Sequence, residues 1–324
     1  MIKTSVRWRK SIDIFYRIFR AVLVIGICFT ILFPLFVKLS VSFMDERDLY
    51  DATVLYIPRL FTLNNFRMAF AGLNYFSSLF NSFLLAFSTG AIQLAACSLV
   101  AYGFARFNFP FKRLLFFMVI LLILVPPQTT LLPIYMFFRY FNLWGFVPFL
   151  GRIFGGREIT HVNLLNTYWP FVIMSSTVTG FKNGLFVYIL RQHFRSIPKE
   201  LEEAAYIDGC GYLKTFLLIV VPAAVPMLTT VFLFSFAWMW TDNFYSTLFL
   251  TAPRILSVAL GSLAQNLWFT YVDTGLGQMT FISPGFSSIV NNAGTFLVII
   301  PLVILYIFAQ RAFVEGVERS GIVG

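Results

Sequence analysis

Charge is scarce in this chain. Asp, Glu, Lys and Arg make up 12% of its 324 residues, where soluble domains carry roughly a quarter. Histidine occurs twice, at the isolated positions His161 and His193, which argues against a histidine-based metal centre. The three cysteines, Cys28, Cys97 and Cys210, lie far apart and suggest neither a disulfide framework nor a metal site. Cys210 reads as a small structural residue rather than a nucleophile. No GxxxxGK[ST] loop is present, so the chain does not itself hydrolyse ATP in the phosphate-loop manner. Internal repeats and low-complexity tracts are absent as well. A self-sufficient secondary transporter needs ion-coupling carboxylates within its spans, and the nearest candidate, Asp242, lies at an edge. A membrane enzyme needs a clustered His, Cys or carboxylate site, and two scattered histidines argue against it.

Apolar residues are abundant. They form 59% of the chain, with 41 phenylalanines and a mean hydropathy of +0.81. A soluble domain cannot bury so much apolar surface, so an all-α integral membrane protein is expected. Six spans are predicted: 21–43, 81–104, 114–138, 167–190, 216–240 and 287–310. The first follows a basic tail, 1–20, and resembles a signal peptide, but its length and the lack of a prompt cleavage site favour an uncleaved span. Prolines Pro126, Pro127 and Pro133 interrupt the third span and free carbonyls that neighbours must satisfy. Segments 44–80, 139–166 and 241–286 are assigned outside; 139–166 has room for a short surface helix, and 241–286 is able to dip into a cavity. The tail 311–324 is assigned inside. Of 24 Lys and Arg residues, fifteen then fall inside and seven outside, with Lys38 and Lys182 within spans. This bias puts both termini in the cytoplasm. The net charge of +10 accordingly reads as basic cytoplasmic loops and not as nucleic-acid binding.

A polar island at 191–215 organises the chain. Pro198 suits the first turn of a helix. Lys199 to Asp208 reads as about three turns with acids early and two alanines in the middle. Gly209 and Gly211 supply positions for a left-handed break, and Tyr212 restarts a helix that runs through Pro222 and Pro226. Glu203-Ala204-Ala205, three residues, Gly209, nine residues, Ile219, one residue, Val221-Pro222 resembles the EAA loop of ABC importer permeases, with Val221 in place of Leu the one departure. The resemblance implies a type I importer permease fold in which this loop is the coupling helix that docks into a cytoplasmic ATPase. Glu203, Ala204, Ala205, Asp208 and Gly209 would then transmit ATP-driven motion without doing chemistry.

Three further phrases resemble the carbohydrate-uptake, maltose-type permeases: Pro58 to Phe66, Ile189 to Gly209, and the tail Gln310 to Gly324. The resemblance implies a second, similar permease chain, two copies of an ATPase, an external solute-binding protein and an oligosaccharide cargo. ATP and Mg would sit on the partners, with no cofactor in this chain. ATP binding would push the coupling helices together and rock the spans to an outward-facing state in a bacterial inner membrane. An amino-acid, peptide or phosphate cargo remains the rival within the family.

Polar groups in mid-membrane usually face an interior path. Lys182 lies about twelve residues before Phe194, near the cytoplasmic end of span four, so ~18 Å in, with Gly180, Asn183 and Gly184 making a polar notch. It is either a substrate-path group or a charge paired with a neighbouring helix. Trp240, Asp242 and Tyr245 near the outer end of span five, Asn291 and Asn292 in span six, and Gln128 beside Pro127 complete the candidates. Aromatic faces stack on sugar rings and amides or carboxylates bond hydroxyls, though Trp240 and Tyr245 also fit interface-belt aromatics. The basic notch tilts the cargo toward an acidic oligosaccharide of the alginate type over a neutral sugar.

Overall fold

In lipid a backbone has no partner but itself, so long apolar runs must become helices. The computed structural model describes residues 2–142, 161–180, 182–251, 255–273 and 282–321. Among them the regular structure is helical, with two isolated bridges, Met44 to Phe61 and Phe141 to Val162. In chain order the helices are α1 Ile2–Ser42, α2 Glu46–Tyr50, α3 Asn64–Gly72, α4 Tyr75–Arg106, α5 Lys112–Leu124 and α6 Leu131–Arg139. There follow α7 Trp169–Ser176, α8 Asn183–Ser196 and α9 Glu200–Ile207. Next come α10 Tyr212–Ala223, α11 Val225–Thr241 and α12 Phe244–Phe249. The last are α13 Leu256–Gly261, α14 Leu263–Asp273 and α15 Pro284–Gly321. Most of the expected loop 139–166, from 143 to 160, lies outside the described residues.

The helices divide into two compact units, one of residues up to Leu73 with Ser262–Leu297, the other of Asn74–Gly261 with Val298 onward. In the first unit, α1 extends back through the basic segment to Ile2, because Lys and Arg are good helix formers and nothing there breaks the ladder. The turn after α1 is held by buried groups. Asn65 donates to the carbonyls of Ser42 and Met44 at 3.0 and 2.8 Å, and the buried Asp48 carboxylate accepts the amides of Arg59 and Leu60, both at 2.9 Å. Gly72 lets α3 press on α14, where an added Cβ would meet Leu263 at 2.7 Å.

In the second unit α4 is the central post. Its buried face carries Ser78, Ser82, Ala86, Thr89, Gly90, Gln93, Cys97 and Ala101, small or amide residues at three- and four-residue spacing. Such a stripe lets helices approach closely in a membrane, and α7, α8, α11 and α13 all pack on it. One apolar cluster joins Tyr102, Phe186, Leu190, Phe194, Phe216, Val220 and Met227 toward the α9 end, and another joins Leu85, Phe138, Phe171, Tyr245 and Phe249.

Three of the expected spans are not straight helices. After Leu124 the chain bends by 100° into a 3₁₀ turn, Pro127–Thr130, and α6. Pro126-Pro127 stop α5, and Pro133 falls in the first turn of α6, where its missing N–H costs nothing. The helix restarting at Tyr212 does not run on to Pro226 as one piece: it passes through a π turn, Phe216–Val220, and Pro222, then bends by 82° between α10 and α11. The expected span 167–190 is divided. α7 ends at Ser176, the chain adopts positive φ at Val178 (60°) and Lys182 (63°), and α8 then begins. Among the described residues three helices are long and apolar enough to cross a membrane alone, or up to five if each of two bent pairs is one span. With eight and fourteen residues, α7 and α8 are each too short to cross alone.

Candidate coupling surface and translocation path

Helix α9 is built at its ends. Lys199 is its N-cap, so Pro198 stands just before the helix and not within its first turn. Glu200, Glu202 and Glu203 occupy the first turn, where negative charge suits the macrodipole. At the other end Gly209 has φ +81°, and the amides of Gly209 and Cys210 return to the carbonyls of Tyr206 and Ala205 at 3.1 and 2.9 Å. Nothing lies within 4 Å of a Cβ added at Gly209, so its requirement is conformational. Gly211 differs from the expectation: at φ −76°, ψ 162° it is ordinary extended backbone.

The helix has two faces. Leu201, Glu203, Ala204, Asp208 and Gly209 are exposed, and Ile207 is 87% exposed. Glu202 and Ala205 are buried. Of the five residues assigned to coupling, four thus share the open side and Ala205 supplies the close contact beneath. Sequence reasoning missed the anchor under this helix. Arg106 Nε donates to Glu202 Oε1 at 2.5 Å, and Tyr102 Oη donates to Oε2 at 2.9 Å. The helical period was the available signal, since 202 and 205 lie three apart and 203 does not share their face.

Lys182 is exposed in the α7–α8 break, its ammonium 5.6 Å from the Trp238 ring centroid. Trp238 also stacks with Phe186 and with Phe234, at 5.6 and 5.5 Å. Asn183, the first residue of α8, is fully buried, with its amide committed to the protein. Gln93 donates to its Oδ1, Ser235 donates to Gln93 Oε1, and Asn183 Nδ2 reaches the Met174 carbonyl at 3.3 Å. This network ties α4, α7, α8 and α11 together. Beside it lies a cavity of about 20 Å³, lined among others by Thr89, Gln93, Ser175, Ser235, Trp238 and Tyr245. That volume admits about one water molecule.

The remaining candidates are spread out. Tyr245 lines the cavity and stacks on Phe249 at 6.0 Å. Trp240 is buried and donates its indole N–H to the Val298 carbonyl at 3.1 Å. Asp242 caps α12 through the Ser246 amide at 2.8 Å. Gln128 is exposed in the 3₁₀ turn and does not line the cavity. Asn291 and Asn292, in the first unit, bond Ser287 and Ser288 one turn back at 3.3 and 3.4 Å. That unit also holds an open cleft of about 450 Å³ bordered by Glu46, Tyr50, Asn65 and Trp268. Its polar groups are engaged: Ser283 donates to Glu46, and the Gly285 amide donates to Tyr50 Oη.

A post of small residues, broken apolar helices and a capped surface helix are the features a transport permease would use, and the family match gives that class. Residues 93–319 match the model of the binding-protein-dependent transport system inner membrane component family, and the chain belongs to that family. It is similar to a putative ABC transporter permease protein of Caldicellulosiruptor, at 27% identity over 90% of this chain and 91% of that one. A permease of the sulfoquinovosyl glycerol transport system of Agrobacterium fabrum is 27% identical, over 90% and 89% of the two chains. One of the sn-glycerol-3-phosphate transport system of Yersinia pestis is 27% identical, over 96% and 98%. Its fold is that of a chain from a bacterial ABC transporter involved in the import of the acidic polysaccharide alginate, with a TM-score of 0.67, 20% identity and coverage of 93% and 97%.

Proposed function

We propose that this chain is one permease half of an ATP-driven ABC importer for an oligosaccharide, coupled to cytoplasmic ATPase subunits through α9. The observation that carries the reading is the open face of that helix. Glu203, Ala204, Ile207, Asp208 and Gly209 present a small, partly apolar surface that the described residues leave exposed. A rigid short helix with such a face suits insertion into a partner's groove. ATP and Mg belong to the ATPase, a second permease completes the path, and an external protein delivers the cargo. Both termini and α9 lie in the cytoplasm, as the basic residues favour.

The cargo reading follows Lys182. An exposed ammonium beside Trp238, a ring that also stacks with Phe186 and with Phe234, puts charge and aromatic surface together. That pairing favours an acidic sugar over a neutral one, and the cargoes named for the similar proteins include a phosphate ester and an acidic polysaccharide.

Reconstitution in vesicles with the partner chains tests both parts. Glu203→Lys or Gly209→Pro is expected to abolish ATP-driven uptake while the external protein still binds sugar. Normal uptake in both variants would sink the coupling role. Lys182→Gln is expected to depress uptake of an acidic oligosaccharide far more than that of its neutral analogue; equal effects would favour a neutral cargo.

A further inference from the structure

Arg106 is the last residue of α4, and its guanidinium serves two other elements. Its Nη2 donates to the carbonyl of Ile197, the C-cap of α8, at 2.7 Å, while its Nε holds Glu202 of α9. Tyr102, one turn back on α4, takes the second carboxylate oxygen. The pair is almost wholly removed from solvent, with the Arg106 and Glu202 side chains 7% and 5% exposed. The Tyr102 ring is wedged against Phe216 and Phe194 at 4.7 and 6.1 Å.

Apolar contacts alone allow a short helix to slide, whereas a guanidinium fork fixes direction as well as distance. Glu202 therefore welds α9 to α4 on the side opposite Glu203. Thirteen residues along α4, ~20 Å away, Gln93 engages Asn183 and Ser235 beside the cavity. One continuous helix thus joins the weld to the cavity wall.

We infer that Arg106 and Glu202, steadied by Tyr102, are positioning residues that make the coupling helix and α4 move as one body and so carry the ATPase stroke to the Gln93 layer. The inference rests on the coupling role proposed for α9. A lever needs a joint that does not flex. Here the joint is a desolvated ion pair, and the motion it carries is that of the helix on which α7, α8, α11 and α13 pack.

The test uses the assembled transporter in lipid discs, with Cys28, Cys97 and Cys210 replaced and spin labels placed at Leu99→Cys on α4 and Leu201→Cys on α9, the latter outside the residues proposed to dock. Both label positions are exposed. The distance between labels is expected to be the same without nucleotide and with ATP trapped. A distance that changes between the states overturns the rigid joint, and this experiment disrupts no contact of the pair. In parallel, Glu202→Gln is expected to keep the ATPase bound and hydrolysing while cargo moved per ATP falls about tenfold, within the ordinary range of coupling energies. An unchanged ratio would overturn the inference. Failure of the coupling role itself looks different: Glu203→Lys, with the weld intact, would then leave ATPase binding and uptake unaltered.

Discussion

At the scale of residues, adjacent glutamates have opposite surroundings. Glu203 faces outward, and Glu202 sits against Arg106. Glu202→Ala leaves a buried guanidinium without its counter-charge, a loss of about 3–5 kcal/mol. Glu203→Ala touches solvent and is expected within about 0.5 kcal/mol of the parent. Thermal unfolding of the purified chain in detergent, followed by near-ultraviolet circular dichroism, separates the two. Equal shifts would show that the ion pair is not what holds α9. The motif spacing made the helix and its glycine stop legible in the sequence, and the positive φ of Gly209 agrees. Which glutamate turns inward was legible only in part. The partner Arg106 lies 96 positions away, and no local pattern links the end of one helix to the start of another so distant. Asn183 shows the same gap: its place in a polar notch was visible, but the Gln93 and Ser235 that absorb its amide come from other helices.

At the scale of elements, three of the six spans that the sequence suggested as single helices are bent or divided. Hydropathy reports how long a segment stays apolar, and it says little about where the hydrogen-bond ladder is interrupted. Prolines gave a hint for the third and fifth crossings. For the fourth, the break lies at Val178 and Lys182, residues that rarely take positive φ, so local preference gave no warning. What holds α8 in place is a close approach. A Cβ at Gly184 would stand 2.7 Å from the Val119 carbonyl of α5. Backbone cannot yield as a side-chain tip can, so Gly184→Val is expected to push α5 from α8. The cost should be of the order of 1–3 kcal/mol, as in overpacked cores. Hydrogen exchange of α5 amides measures it: faster exchange confined to α5 and α8 is the expected pattern, and parental rates would refute the close packing.

At the scale of the whole molecule, the polar network around Gln93 encloses too little space for a cargo. The cavity beside the Gln93 network holds about 20 Å³, far below the roughly 300 Å³ at which ligand pockets begin. Under the proposed function, room for a cargo at this wall opens only when the lining helices separate. Thr89→Cys, in a background lacking the native cysteines, is expected to resist a membrane-impermeant thiol reagent at rest and to react once ATP is trapped. Reaction at equal rates in both states would mean the wall is open already.

The π turn at Phe216–Val220 has its own consequence for how the chain tolerates change in length. A π turn holds one residue more than the α turn it replaces. Phe216 and Val220 at its ends are buried, while Leu217 and Leu218 between them face outward. Removing Leu218 would leave the two buried residues three apart, still on one face of an α-helix. Removing a residue within α11 instead would rotate everything beyond it by about 100°. The turn is thus a reserve of slack, the place in this crossing where a residue can be lost and the helices keep their bearing.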